Sequence, residues 1–525
     1  CESGKNRERE NRKDNRKDYE MKMTDALVMT SGNVSGAPIA RTDEDAVREL
    51  GGFCDLILSH DREIRIRADD SVADWYDGAP YLIRRSRGYA PLPVMLREGE
   101  GQAQRWRGAV LAAGGELKNT FCVAKNQLFY PSPYVGDMGD LRTVEALRET
   151  AARLCDLLET RPDVIACDLH PAYNTTALAE EIARRQGAGL FPVQHHFAHI
   201  LSCMAENGVA AGEEVIGAAM DGTGYGADGT IWGGEFLRAG YGGYERLGCI
   251  RPFPQVGGDA AAREGWRVAV SMLGELFGDG KSGAKQDEQE VLHITGALGL
   301  CSAAQAQTIW RMARSGINTV RSTSAGRLFD AVSAILGIRL SSTYEGEAAC
   351  FLQFAAQRYE RENPRQAAQI ARESRGQESG CFEADGAAAQ EVRAGGADRY
   401  PEQESRGAED LFTLGTGGIV RRMTEGRLAG EDTGELAYRF HCLFAEQIAE
   451  GCLRCAKQTG LSVCALSGGV FQNTLLLMKT EAALTRAGLR VLRHHLIPAN
   501  DGGIALGQAA AAMYAQSGQK SGVLY

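Results

Sequence analysis

No apolar run in this 525-residue sequence reaches membrane-spanning length, and no charged-then-apolar leader opens it. A cytoplasmic location without a membrane partner is therefore the expectation. Excess positive charge is also lacking: the net charge is −10, which argues against a nucleic-acid-binding surface over the whole chain. The 14 cysteines are scattered singly apart from Cys452 and Cys455. No second CxxC completes a four-ligand zinc module, so reduced thiols in a reducing compartment are expected. Neither GxxxxGK[ST] nor a strand–GxGxxG–helix unit is present, which removes P-loop and Rossmann dinucleotide sites. A convincing Ser/His/Asp or Cys/His set for an internal nucleophile is missing as well.

What is present points to an α/β protein. Length alone suggests about three domains, and 64 glycines imply many tight turns and ligand-approach loops. Residues 1–20 are charged and polar with almost nothing apolar, the composition of a solvated segment. The pattern that follows begins as if inside a domain, and a fragment is expected. Over residues 21–98 short apolar runs alternate with turns: ALVMT and CDLILSH read as strands, DEDAVRELG as a helix capped by Thr42 or Asp43. From 105 the pattern restarts as strand, glycine-rich turn and strand (AVLAAGGELKNTFCVAK), followed by helices and the buried-type strand VIACD. From 213 the theme recurs in VIGAAMDGTGYGADGTIWGGEF. Two lobes, 105–212 and 213–525, each opening on a glycine-rich hairpin, imply an internal duplication. Residues 373–410 lack apolar periodicity and read as a disordered insertion.

Histidine is sparse, nine in all, yet three fall within VQHHFAHI. His195 and His199, four apart at a helix start, share one face and can converge on a divalent ion; capping or packing is the competing reading. His196 points about 100° away and reads as packing or hydrogen bonding. Such a metal calls for a carboxylate, and Asp221 and Asp501 both stand where an apolar strand ends and the backbone turns, although turn aspartates commonly bond their own backbone. Three glycine segments, Gly114–Gly115, Gly222–Gly226 and Gly468–Gly469, suit close approach to phosphate. Asp330, in an amphipathic helix beginning near Ser324, suits ribose hydroxyls or a solvated face.

These motifs, in the order VMTSGNVSG, RRSRGYAP, GELKNTF, DLHPAY, QHHFAH, DGTGYGADGTIWGGEF, AGRLFDAVSAILG, LSGGVFQN and PANDGGIALGQ, resemble the HypF family of [NiFe]-hydrogenase-maturation carbamoyltransferases from about residue 27 to 515. The resemblance implies part of a YrdC-like α/β domain over 21–98, whose Ser-x-Asn element falls on Ser31 and Asn33. It implies that 105–525 form a two-lobed TsaD-like domain of the actin-like ATPase fold, a duplicated RNase H-like unit. His195, His199, Asp221 and Asp501 would then hold Fe2+ or Zn2+. Gly222, Thr223, Gly224, Asp330, Gly346, Gly468, Gly469 and Asn473 would contact nucleotide, and Lys118 and Asp221 would serve catalysis. The family's reaction makes carbamoyl-adenylate from carbamoyl phosphate and ATP, with Mg2+, and passes the carbamoyl group to the C-terminal cysteine of HypE. The acylphosphatase-like domain, the paired CxxC modules and the front of the YrdC-like domain find no counterpart here, so transfer from a supplied adenylate is implied more directly than its formation. Alternatives are a TsaD-type tRNA threonylcarbamoyl transferase, an O-carbamoyltransferase, or a remnant that binds nucleotide or a partner.

Overall fold

The computed structural model describes residues 29–34, 36–99, 106–278, 284–376 and 411–518. The charged segment 1–20 and most of the insertion expected at 373–410 lie outside them; residues 373–376 continue a helix. The front module holds α1 (Asp43–Leu50) and the antiparallel hairpin β1 (Val72–Tyr76) with β2 (Ala79–Arg84). Thr42 caps α1 by accepting the Asp45 N–H, as the Ser/Thr/Asp preference at helix starts predicts. CDLILSH is not a strand. No described segment pairs with it, Leu56 and Leu58 are 84% and 94% exposed, and an unpaired apolar run has no ladder to hold it extended. In ALVMT, residues 26–28 are outside the described set, and Met29–Thr30 are irregular.

The first lobe contains β3 (Val94–Met95), β4 (Ala109–Ala112), β5 (Cys122–Lys125), β6 (Leu128–Pro131), α2 (Leu141–Leu157), β7 (Val164–Asp168), α3 (Asn174–Gln186), β8 (Gly189–Val193) and α4 (His195–Glu206). Since β3 pairs with β6, this sheet begins a few residues before position 98. The second lobe opens with β9 (Glu214–Tyr225), β10 (Ile231–Gly240), β11 (Gly243–Ile250), β12 (Phe253–Val256), α5 (Asp259–Arg263), α6 (Gly265–Phe277), α7 (Ala284–Ala297), α8 (Ala303–Ser315), β13 (Thr319–Ser322) and α9 (Ala325–Ile335). It closes with α10 (Glu347–Glu362), α11 (Pro364–Gly376), β14 (Phe412–Leu414), α12 (Gly417–Leu428), α13 (Thr433–Thr459), β15 (Val463–Ser467), α14 (Thr474–Arg486), β16 (Arg490–Leu492) and α15 (Ile504–Gly518).

The expected duplication is present in the sheet topology. In the first lobe β6-β5-β4 run antiparallel and β4-β7-β8 parallel. In the second, β11-β10-β9 run antiparallel and β9-β15-β16 parallel, the same order and the same senses. Each lobe's last strand feeds a helix that leaves its own half. α4 packs on β9, β10 and β15 of the second sheet, α15 packs on β4, β5 and β7 of the first, and the two helices cross. One apolar cluster joins Ala198, Leu201, Ala205, Ala219, Ile504 and Ala509 between the sheets. The crossing is close enough that a Cβ on Gly507 would lie 1.9 Å from the Ala198 carbonyl oxygen.

The hairpin β1–β2 docks on the second lobe and reaches its loops by hydrogen bonds. Leu82 N–H donates to His495 O at 3.1 Å and Tyr81 Oη to Phe471 O at 3.0 Å. Arg85, 4% exposed, donates to Pro131 O of the first lobe. No helix among the described residues is long and apolar enough to cross a membrane.

The helix crossing yields a stability prediction. Gly507→Ala should destabilise the protein by about 2–4 kcal/mol in chemical denaturation, because backbone must move to admit the methyl group. Gly139→Ala, where a Cβ meets nothing within 4 Å, should shift stability by less than about 0.5 kcal/mol. Equal effects at the two positions would contradict the packing described.

Candidate metal site and its cleft

The crossing of α4 and α15 places the start of each helix beside the end of β9. His195 is the first residue of α4, and Asp501 opens the 3-10 turn that leads into α15. Asp221 lies within β9; the chain does not turn until residues 226–230, so Gly222–Thr223–Gly224 is extended strand rather than the turn expected from its glycines. The reason is cross-strand pairing: Gly224 and Tyr225 still face Trp232 and Ile231 of β10 across a register shift.

One ligand atom from each of His195, His199, Asp221 and Asp501 lies within 4.8 Å of the others. His195 Nε2 is 3.4 Å from Asp221 Oδ2 and 3.7 Å from Asp501 Oδ1; His199 Nε2 is 3.8 and 3.7 Å from the same oxygens. An ion with bonds of about 2.1 Å holds tetrahedral ligands about 3.4 Å apart. Both Nε2 atoms are buried without a hydrogen-bond partner, an expensive state unless something occupies the space between them. These observations fit a divalent metal. The mixed imidazole–carboxylate donor set suits Zn2+ or Fe2+ without choosing between them.

Two of the ligands are aimed by a second contact. His195 Nδ1 bonds Asp168 Oδ2 at 2.7 Å, with both side chains fully buried. That fixes Nδ1–H as donor and leaves Nε2 for the ion. Asp221 Oδ1 accepts the Gly469 N–H at 2.8 Å, turning Oδ2 toward the histidines. Burial alone would lower the His195 pKa, but the Asp168 and Asp501 carboxylates outweigh it and raise it well above the ordinary range. Burial would raise Asp221, but the close imidazole of His195 and the charge of His199 hold it well below the usual carboxylate range. Three carboxylates around two imidazoles leave negative charge that a cation neutralises.

His196 stands apart from the ligand set. Gln194 Nε2 donates to Tyr225 O at 3.0 Å and lies 3.2 Å from His196 Nδ1. Burial and the charge of His195 push the His196 pKa well down, so it stays neutral. Gly224 is required here by space: a Cβ would sit 2.4 Å from His196 Cε1 and 2.8 Å from His195 Cδ2.

Lys118, at φ +47°, reaches across the cleft to Glu345 of the second lobe. Burial lowers its pKa, but the Glu345 and Asp501 carboxylates more than reverse this, and the ammonium is retained. Gly346 caps α10 beside Glu345, and a Cβ on it or on Gly222 would meet nothing within 4 Å. Thr223 is exposed and Gly468 turns the chain at φ +101°. Ser324 Oγ donates to Gly222 O at 2.6 Å, so the start of α9 abuts the same strand segment. Further along α9, buried Asp330 pairs with Arg327 Nε at 2.7 Å; burial raises its pKa despite that guanidinium.

Asn473 caps α14 by accepting the Leu476 N–H, and its amide lies 2.8 Å from His441 Nε2. Ser31 and Asn33 lie in a local loop of the front module, where Ser31 Oγ donates to Asn33 Oδ1 and Asn33 Nδ2 to Ala37 O.

Two carboxylates that aim the site went unremarked in the sequence. Asp168 was signalled by the same rule that singled out Asp221, a carboxylate at the end of a buried apolar strand. Glu206, at the end of α4, accepts N–H groups of His495 and Ile497 at 3.0 and 3.1 Å and so holds the loop that ends at Asp501. No local pattern marks that role.

Comparison with known proteins agrees with this architecture. A family model for the second subdomain of the carbamoyltransferase Kae1-like domain matches residues 217–508, and one for the HypF Kae1-like domain matches 106–206. A Sua5/YciO/YrdC model, bearing the description telomere recombination, matches 20–86. The chain is 36% identical over 490 residues to carbamoyltransferase HypF2 of Cupriavidus necator, covering 92% of this chain and 55% of that protein. It is 33% identical over 400 residues to a carbamoyltransferase HypF homolog of the same organism, covering 76% and 90%. A crystal structure of full-length HypF in its phosphate- and nucleotide-bound form has a TM-score of 0.74 at 31% identity, covering 93% of this chain and 56% of that one. The chain thus spans about half the length of the first of these relatives and of the crystal structure.

Two expectations follow from the geometry. Asp168→Asn should weaken Zn2+ binding about 10–100-fold, as loss of an outer partner of a ligating histidine does; unchanged affinity in a chelator-competition titration would show that Asp168 does not aim His195. His441, buried, has its pKa lowered to about 4 by desolvation. The unfolded chain therefore takes up the proton first as pH falls, and stability present above about pH 6.5 is lost toward pH 4, by at most about 3 kcal/mol. Denaturation at pH 7 and pH 4.5 should show a smaller loss in His441→Gln than in the native chain; parallel losses would refute the assignment.

Proposed function

Because the chain belongs to the HypF carbamoyltransferase family, we propose that it transfers a carbamoyl group from carbamoyl-adenylate to the C-terminal cysteine thiol of HypE, in the maturation of [NiFe]-hydrogenase. The observation that carries this reading is the convergence of His195, His199, Asp221 and Asp501 on one point. In the transfer, the acceptor's thiolate sulfur bonds to the carbamoyl carbon. The carbon–oxygen bond to AMP breaks, and AMP leaves with the electron pair. A divalent ion at the four ligands would supply Lewis-acid polarisation and a template for ligand oxygens.

The remaining work falls to side chains and backbone. The ammonium of Lys118 stands beside Asp501 at the cleft and offers a positive charge to the adenylate's phosphate; reaching it requires exchanging Glu345 for the ligand. Open backbone at Gly222, Thr223 and Gly224, with Gly468–Gly469 and Gly346, suits close approach of a nucleotide. Asp330 and Asn473 would contribute polar groups to it, and Ser31 and Asn33 would serve the YrdC-like part. Packing of the two lobes around the reacting carbon limits water, which would otherwise hydrolyse the activated carbamate.

The test uses the chain with synthetic carbamoyl-adenylate and a HypE-type acceptor ending in cysteine, read by intact mass. One carbamoyl group should be gained on the terminal cysteine. The His195→Ala, His199→Ala double variant should slow this at least about 100-fold, more than an outer-partner change typically does. No transfer by the native chain, or undiminished transfer by the variant, would overturn the proposal.

A further inference from the structure

The Asp221 carboxylate is linked to the turn that carries Asp501 by a line of hydrogen bonds through two side-chain amides. Asp221 Oδ1 accepts the Gly469 N–H at 2.8 Å. Gly469 O accepts from Gln472 Nε2 at 2.9 Å. Gln472 Oε1 accepts from Asn500 Nδ2 at 2.8 Å. Asn500 Oδ1 accepts the Gly502 N–H at 2.9 Å, which closes the turn that presents Asp501. The second hydrogen of Asn500 Nδ2 goes to Ile83 O of β2 at 2.9 Å, anchoring the line to the front module.

Every hydrogen-bonding group of the Asn500 amide is thereby used, and its orientation is determined. Rotating it by 180° would set its NH2 against the Gly502 N–H and its oxygen against two acceptors. Asn500 is 2% exposed, so water cannot substitute for a lost partner. Neither residue is among the four metal ligands.

We propose that Gln472 and Asn500 are positioning residues that set the separation of Asp221 from Asp501, with the front hairpin as the third anchor of the same line. The inference rests on the reading of the four ligands as a metal site. A change in either amide should alter metal affinity before it alters the fold, because the line ends on one oxygen of Asp221 and on the turn carrying Asp501.

The experiment is a Zn2+ titration of the native chain, Asn500→Asp, Gln472→Glu and the double variant against a chromophoric chelator, with melting of each metal-free protein as control. Each single variant keeps its shape but puts oxygen against oxygen within the line. The expected result is Zn2+ affinity about 10-fold or more weaker in each single variant. In the double variant the loss should be less than the product of the two, as for residues acting through one path. The sign discriminates. An added carboxylate acting only through its charge would tighten cation binding, so weakening reports geometry. Gln472 is only partly buried, so if Asn500→Asp does not fold, Gln472→Glu decides alone. Native binding with unchanged or tighter binding in Gln472→Glu overturns the positioning role only. Failure of the native chain to bind Zn2+ overturns the metal reading and this inference with it.

Discussion

The site depends on the crossing of two helices that have exchanged lobes. α4 leaves the first sheet and lies on the second, and α15 does the reverse, so their N-terminal ends meet over the end of β9. Their approach is set by Gly507 against the Ala198 carbonyl, and the seating of α4 on β9 by Gly217 against Ile200. Duplication is what makes this possible: His195 follows the last strand of one sheet as the Asp501 turn follows the last strand of the other. A single copy of the unit would present one set of ligands with nothing opposite.

That arrangement carries an electrostatic cost which the ligand set offsets. A helix N-terminus bears roughly half a positive charge, which opposes a cation placed there. Asp221 and Asp501 reverse the local sign, and Asp168 behind His195 adds to it. These three carboxylates raise the pKa of His195, and the imidazoles of His195 and His199 in turn lower that of Asp221. Backbone N–H groups at Gly469 and Gly502 feed into the network around these carboxylates and orient it. Ion, helix ends and carboxylates therefore form one charge-balanced unit rather than a set of separable ligands.

Much of this was legible in the chain because it is local. The HxxxH spacing and the helix that carries it are periodic features, and the strand VIACD and helix NTTALAEEIARRQ read directly from apolar pattern. Asp221 and Asp501 could be marked as strand-end carboxylates, but ligand and turn aspartate look alike until the fold brings them to His195. Lys118 and Glu345 stand far apart in the chain, and no spacing rule connects them. CDLILSH misled because strand propensity is realised only beside a partner strand, and none of the described residues provides one. Gly222–Gly226 misled in the opposite sense, since Gly224 serves close approach of His195 and His196 to an extended strand and the turn begins only at Gly226.

The central claim is that four side chains from both halves hold one divalent ion. X-ray absorption at the metal edge of protein loaded with one equivalent of Zn2+ tests it most directly. The predicted spectrum shows two imidazoles with carboxylate oxygen, all at about 2.0–2.2 Å, and no sulfur. A shell containing sulfur at about 2.3 Å, or one without imidazole scattering, would place the ion elsewhere and contradict the account.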